Sequence, residues 1–181
     1  NGDYVLIVED SRTQALELEE TLQVRGYRSQ IVGNGKLALE KLHQQRPTIV
    51  ISDIRMPIMD GFQLCRAAKQ DPLLATIPFI LLTSMTAPAD VLAALEAGAD
   101  FYIPKPYHGD YLVAKVAEVL AHSEPTEAYP PETSEPIVFD GITYQISASR
   151  KQIMRLLLGT YEVASQKNQE LLAAREELIT N

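Results

Sequence analysis

Tyr4-Val-Leu-Ile-Val-Glu-Asp10 and Thr48-Ile-Val-Ile-Ser-Asp53 decide the fold. Each is a short apolar run rich in Val and Ile that closes on acid: Glu9 and Asp10 after the first, Asp53 after the second. Runs of this length predict strands buried on both faces of a parallel sheet. Ligand sites in such sheets gather at the carboxyl ends of the strands, so three carboxylates are expected along one edge. Unrelieved, they repel one another, and either a proton or a cation must relieve them. Mg²⁺ suits the place, being hard, oxygen-seeking and commonly held by one or two carboxylates plus phosphate oxygens. The edge implies phosphoryl chemistry.

Two later runs bring complementary groups. Pro78-Phe-Ile-Leu-Leu82 leads into Thr83, and Phe101-Tyr-Ile103 leads into Pro104-Lys105-Pro106. A hydroxyl and an ammonium thereby join the carboxylates. At this point the chain resembles the receiver domain of two-component response regulators. The resemblance rests on Glu9-Asp10, on Asp53 within Asp53-Ile-Arg-Met-Pro-Ile-Met-Asp-Gly61, and on Thr83-Ser84, Tyr102 and Lys105-Pro106. It covers roughly the first two thirds of the chain, and the ordered set is far more specific than any one motif.

The resemblance implies a phosphoacceptor at Asp53, with Asp10, Asp53 and the Arg55 carbonyl as direct Mg²⁺ ligands and Glu9 acting mainly through water. It also implies that Lys105 and Thr83 engage phosphoryl oxygens, that Thr83 and Tyr102 form a switch, and that Lys105-Pro106 is a cis peptide. Arg55 and Met85 occupy positions where the family tunes phosphate lifetime. The implied partner is a histidine kinase or phosphotransfer domain.

Size and charge bound the alternatives. The chain has 181 residues, 46% of them apolar, enough for one full core plus an appendage. A net charge of −8 argues against a nucleic-acid surface. No apolar run approaches the ~20 residues needed to span a bilayer, and no signal peptide is expected, because polar residues follow the first strand. Lone Cys65 excludes an internal disulfide and fits a reducing cytoplasm. The histidines form no ligand cluster, and no glycine-rich phosphate loop follows the first strand.

Short strands alternate with amphipathic helices as far as residue 121: helices over Ser11–Arg25, Gly35–Gln44 (presenting Leu37, Ala38 and Leu42 to the core), Asp60–Gln70, Ala89–Ala97 and Asp110–Ala121, and a further strand at Arg28–Val32. Five βα units predict an α/β fold with a doubly wound parallel sheet; the flavodoxin-like order 2-1-3-4-5 comes from the resemblance. The receiver is assigned to residues 1–122. Residues 123–136 hold four prolines and four glutamates and predict an extended linker. Asp140-Gly141 between apolar runs predicts a hairpin over 137–147.

Ser149 and Gln152 then suggest a capping box for a long helix over 148–181, whose pattern still runs at Asn181 and leads one to expect further chain. In that helix Met154, Tyr161, Asn168 and Arg175 fall at heptad position a, and Leu157, Ala164, Leu171 and Leu178 at d. Asn at an a position is a device for fixing a two-stranded register. Two readings stay open: a parallel homodimeric coiled coil, or a helix packed back on its own receiver. Functionally the resemblance implies a phosphorelay receiver, and the helix pattern suggests that it signals through its C-terminal helix. The rivals are an aspartyl-nucleophile phosphatase, which usually has a second Asp where Arg55 stands, and an unphosphorylated dimerisation scaffold.

Overall fold

The computed structural model describes residues 4–84, 87–121, 135–146 and 150–180. Met85, His122, most of the proline-rich segment and the Ser149 cap lie outside the described residues. Five strands form one parallel sheet: β1 (Val5–Val8), β2 (Ser29–Val32), β3 (Ile49–Asp53), β4 (Phe79–Thr83) and β5 (Phe101–Pro104), in the order β2-β1-β3-β4-β5. β1, β3, β4 and β5 are buried along almost their whole length, which is why their sequences run apolar without alternation. Five helices connect and cover them: α1 (Arg12–Gln23), α2 (Gly35–Gln44), α3 (Gly61–Gln70), α4 (Pro88–Ala97) and α5 (Gly109–Ala121).

The sheet divides the core in two. One apolar cluster takes Leu6, Val50, Phe79, Leu81 and Tyr102 against α2, α3 and α4. The other takes Ile7, Ile51, Ile80, Phe101 and Ile103 against α1 and α5. Capping fixes where the helices begin. Ser11, Asn34 and Asp60 each accept a hydrogen bond from a first-turn backbone N–H, and Asp60 and Gln63 cap each other reciprocally. α1 therefore starts one residue after Ser11. Leu37, expected on the core face of α2, is exposed; Gly35, Ala38 and Leu42 are the buried positions of that helix.

Beyond the receiver lie an antiparallel hairpin, β6 (Glu135–Phe139) and β7 (Ile142–Ile146), and a 31-residue helix, α6 (Arg150–Thr180). β6 takes in Glu135 and Pro136, which composition assigns to the linker; an outer strand tolerates a proline. At the turn Asp140 and Gly141 both have positive φ, 50° and 75°, the geometry that this residue pair favours.

β7 packs on α4, with Tyr144 and Ile146 buried in the same apolar cluster as Tyr102. α6 lies along β5. There Gly159 is buried and brings the helix so close that a Cβ would meet the Phe101 ring at 2.9 Å. Glu162 pairs with Lys115 at 3.0 Å, and Glu170 approaches His108 at 3.7 Å. Tyr161, Ala164, Asn168 and Leu171, the described a and d residues of the central heptads, face solvent instead. The helix packs on its own receiver through the side opposite the heptad stripe.

Candidate acidic phosphoacceptor site

Parallel register brings the strand ends level. Val8 pairs with Ser52, Asp53 with Leu82, and Thr83 with Pro104, so the residues that follow converge on one edge. Carboxylate oxygens of Glu9, Asp10 and Asp53 lie within 4.8 Å of one another. Asp10 is exposed, Asp53 partly covered and Glu9 only 4% accessible.

Lys105 crosses this cluster. Its ammonium stands 3.1 Å from Glu9 Oε2 and 3.2 Å from Asp53 Oδ1, and donates to Gln14 Oε1 at 2.8 Å. The lysine is held by its backbone N–H, which donates to the Thr83 carbonyl at 2.6 Å, and is followed by a cis bond to Pro106. Glu9 also accepts from the Ser11 backbone N–H at 3.0 Å. Burial nevertheless raises the Glu9 pKa, with the Asp53 charge adding to it, against the pull of Ser11 and Lys105. One ammonium among three carboxylates leaves the edge with excess negative charge and hard oxygen donors, a donor set that fits a divalent cation.

The loop from Asp53 to Gly61 forms the outer wall. A shallow opening is lined by Asp10, Arg55, Met56, Pro57, Asp60 and Phe62. The Arg55 side chain donates to Ser84 Oγ at 2.6 Å, tying this wall to the end of β4. Gly61 permits the fold-back: its N–H donates to the Ile54 carbonyl at 2.9 Å, and a Cβ there would overlap the Asp53 carbonyl oxygen.

Thr83 and Tyr102 are both buried, and the Thr83 side chain draws the Tyr102 phenol down against the rise that burial imposes. Burial is the main reason that the Tyr102 phenol is pushed up to about 12, with the charge of Asp90 on α4 acting in the same direction. The structure thus brings together Glu9, Asp10, Asp53 and Lys105, sets Arg55 at the rim, and links Thr83 to Tyr102. Gln14 and Tyr107 are members that the sequence did not reveal. Burial, then the charges of Glu9 and Asp53, push the Tyr107 phenol up to about 12. The signal for Gln14 was its place in the first turn after the Glu9-Asp10 pair; Tyr107 offered none beyond adjacency to Lys105-Pro106.

Comparison with known proteins agrees with this geometry. Residues 5–117 match the response regulator receiver domain family. The response regulator MprA of Mycobacterium sp. (strain KMS) is 30% identical over 151 residues, covering 82% of this chain and 65% of that protein. The DNA-binding response regulator MtrA of Mycolicibacterium smegmatis is 34% identical over 120 residues, 66% of this chain and 51% of that protein. The chain spans about half to two thirds of the length of these relatives. Among solved structures, the receiver domain of a signal transduction histidine kinase from Syntrophus aciditrophicus is 44% identical, with a TM-score of 0.65 over 71% of this chain and 98% of that one. The chemotaxis response regulator CheY4 of Vibrio cholerae is 29% identical, with a TM-score of 0.61 over 66% of this chain and 99% of that one.

Proposed function

This chain belongs to the response regulator receiver family, and on that premise we propose that it accepts a phosphoryl group on Asp53 from a histidine kinase or phosphotransfer domain. The observation that carries the reading is the Asp53 carboxylate itself. It sits at the end of β3, paired with Lys105 at 3.2 Å and within ligand distance of Glu9 and Asp10.

Mg²⁺ is the implied cofactor. Asp10, Asp53 and the Arg55 carbonyl would hold it directly, and Glu9 through water. When bound, it supplies charge neutralisation between the carboxylate nucleophile and the anionic phosphoryl group. The remaining work belongs to the chain. An Asp53 oxygen forms the new P–O bond as the donor's P–N or P–O bond breaks, and the leaving group departs with the electron pair. Lys105 turns from Asp53 to a phosphoryl oxygen, and the Thr83 hydroxyl donates to another. Acetyl phosphate with Mg²⁺ should add one hydroxylamine-labile phosphoryl group, seen by intact mass. Asp53→Asn should take up none; persistence of the adduct would overturn the assignment.

The outward heptad stripe supports a second part of the reading, a parallel homodimer through α6. Tyr161 is 72% and Leu171 68% exposed, more than apolar side chains of an intramolecular helix require. Together with the similarity to the receiver of a histidine kinase, this favours relay through α6 to a following signalling module. Among the described residues, no helix is long and apolar enough to cross a membrane. Tyr161→Glu with Leu171→Glu should make the chain monomeric in sedimentation; an unchanged sedimentation coefficient would remove the dimer.

A further inference from the structure

Two helices of the receiver open on the same pattern and use it differently. α3 is preceded by Asp60 and carries Gln63 three residues later, and there the cap closes on itself. The Gln63 backbone N–H donates to Asp60 Oδ1 at 2.8 Å, and the Asp60 N–H donates back to Gln63 Oε1 at 3.0 Å. α1 begins in the same way, with Ser11 as the cap and Gln14 three residues on. The Gln14 N–H again faces the cap, Ser11 Oγ, at 3.5 Å. The returning place, however, is taken by the acceptor site itself, because the Ser11 N–H donates to Glu9 Oε1 at 3.0 Å. Gln14 Oε1 turns elsewhere: it accepts from the Lys105 ammonium at 2.8 Å, the shortest of that group's contacts with Gln14, Glu9 and Asp53.

From this difference we infer that Gln14 is a positioning residue for phosphoryl transfer, holding the Lys105 ammonium on the solvent side of the acceptor site and out of a closed pair with Asp53. The inference rests on the phosphoacceptor reading and adds a residue to it. An ammonium offers three protons and no acceptor. Those of Lys105 meet the buried Glu9, the partly covered Asp53 and the exposed Gln14. Gln14 is the neutral member of the three. Its carbonyl oxygen holds the ammonium without adding to the negative charge that an anionic phosphoryl group must approach. Without that contact, attraction to the two carboxylates draws the ammonium inward, onto the Asp53 carboxylate whose lone pair must reach phosphorus. With it, Lys105 exchanges only Asp53 for a phosphoryl oxygen and keeps Glu9 and Gln14 throughout. The turn then replaces one contact by another and leaves no ammonium proton stranded.

Gln14→Met tests this on the full chain, because methionine keeps the side chain's length and helix propensity but offers no oxygen. Without Mg²⁺ or phosphodonor, solvent exchange of the Lys105 ammonium protons, followed by heteronuclear NMR, should quicken by about threefold or more on loss of that bond. With saturating Mg²⁺, the variant should bind beryllofluoride, a reversible phosphoryl mimic, about threefold to tenfold more weakly, the range of one net hydrogen bond. In a Lys105→Met background, adding Gln14→Met should leave phosphorylation by acetyl phosphate as slow as it already is, because the lysine is the only route by which Gln14 acts. Equal beryllofluoride affinity in Gln14→Met and the parent would overturn the inference. Unchanged ammonium exchange would do the same, as would a further loss in the Lys105→Met background. Beryllofluoride binding that survives Asp53→Asn would instead overturn the acceptor assignment, while ammonium exchange in Gln14→Met still decides whether Gln14 holds the lysine.

Discussion

The receiver body and the arm beyond it spend their apolar residues in opposite ways. In the body, β1, β3, β4 and β5 are closed on both faces, and Leu6, Ile7, Ile51, Phe79 and Leu81 reach no solvent. In the arm, Ile137, Val138, Phe139, Ile142, Leu158, Tyr161, Leu171 and Leu172 are all exposed, and Tyr144 and Ile146 are among the few apolar side chains turned inward. The body's cluster against α2, α3 and α4 takes in Tyr144 and Ile146 from the arm. The arm carries more apolar surface than its docking on α4 and β5 covers.

Core truncation gives the largest test of that contrast. Phe79→Ala empties a fully buried site where the sheet meets α3, and should destabilise the chain by about 3–5 kcal/mol in urea unfolding. Leu171→Ala removes an exposed side chain and should change the monomer's stability by no more than about 0.5 kcal/mol. A comparable loss from both would mean that the arm's outer stripe is covered within one molecule.

The same contrast explains what could be read in advance. Strand ends were legible because burial on both faces imposes unbroken Val/Ile runs, and because the polar residues that end them, Glu9, Asp10, Asp53, Thr83 and Lys105, have chemistry of their own. The hairpin was legible because Asp140-Gly141 selects one turn geometry. The placement of α6 was not. Its described docking side runs from Ile153 through Gly159 and Glu162 to Gln166, Lys167 and Glu170 and forms no continuous apolar stripe, while its periodic face, with Tyr161 and Leu171, points away. Hydrophobic pattern identifies a face that seeks a partner, and here that face and the intramolecular one differ. Leu37 misled for a related reason, since the small residues Gly35 and Ala38 let α2 approach closely and occupy the positions that matter.

Alkaline pH should separate the regions next, through three groups that belong to the body. Burial pushes the Cys65 thiol from 9.0 up to about 12, and the phenols of Tyr102 and Tyr107 from 10.0 up to about 12. Between about pH 9 and 12 the unfolded chain loses these protons while the folded chain keeps them. The folded state then binds more protons, so its stability must fall as pH rises, by about 1.4 kcal/mol per pH unit for each proton retained. Urea midpoints at pH 8, 9.5 and 11 should decline steadily, with a shallower decline in Cys65→Ala. A flat profile would show that the core around Cys65 opens readily, against the picture of a closed body.

The smallest effect concerns a surface pair in the body, with a counterpart at the arm. His43 Nδ1 lies 2.9 Å from the Leu39 carbonyl and Nε2 lies 2.8 Å from Asp71 Oδ2, joining the end of α2 to the residue that follows α3. Both ring nitrogens face acceptors, so only the cation, with two N–H groups, satisfies both. The Leu39 carbonyl and then Asp71 accordingly raise the His43 pKa. The Leu73 backbone N–H and then His43 lower that of Asp71. A raised histidine contributes fully below its unfolded value, near 6.5, and the contribution disappears as pH climbs through the folded value. On the acid side, Asp71 contributes above its unfolded value of 3.8 and loses this as pH falls through its lowered folded value. The window is therefore roughly pH 4 to 6.5. His43→Gln should lower the thermal midpoint slightly at pH 5.5 and leave it unchanged at pH 8.5. The same change at His108, whose contact with Glu170 spans 3.7 Å between exposed groups, should do less at either pH, because such pairs are screened by solvent. A larger loss at His108 than at His43 would reverse the ranking and make the arm, rather than the α2–α3 side of the body, the more firmly fixed surface.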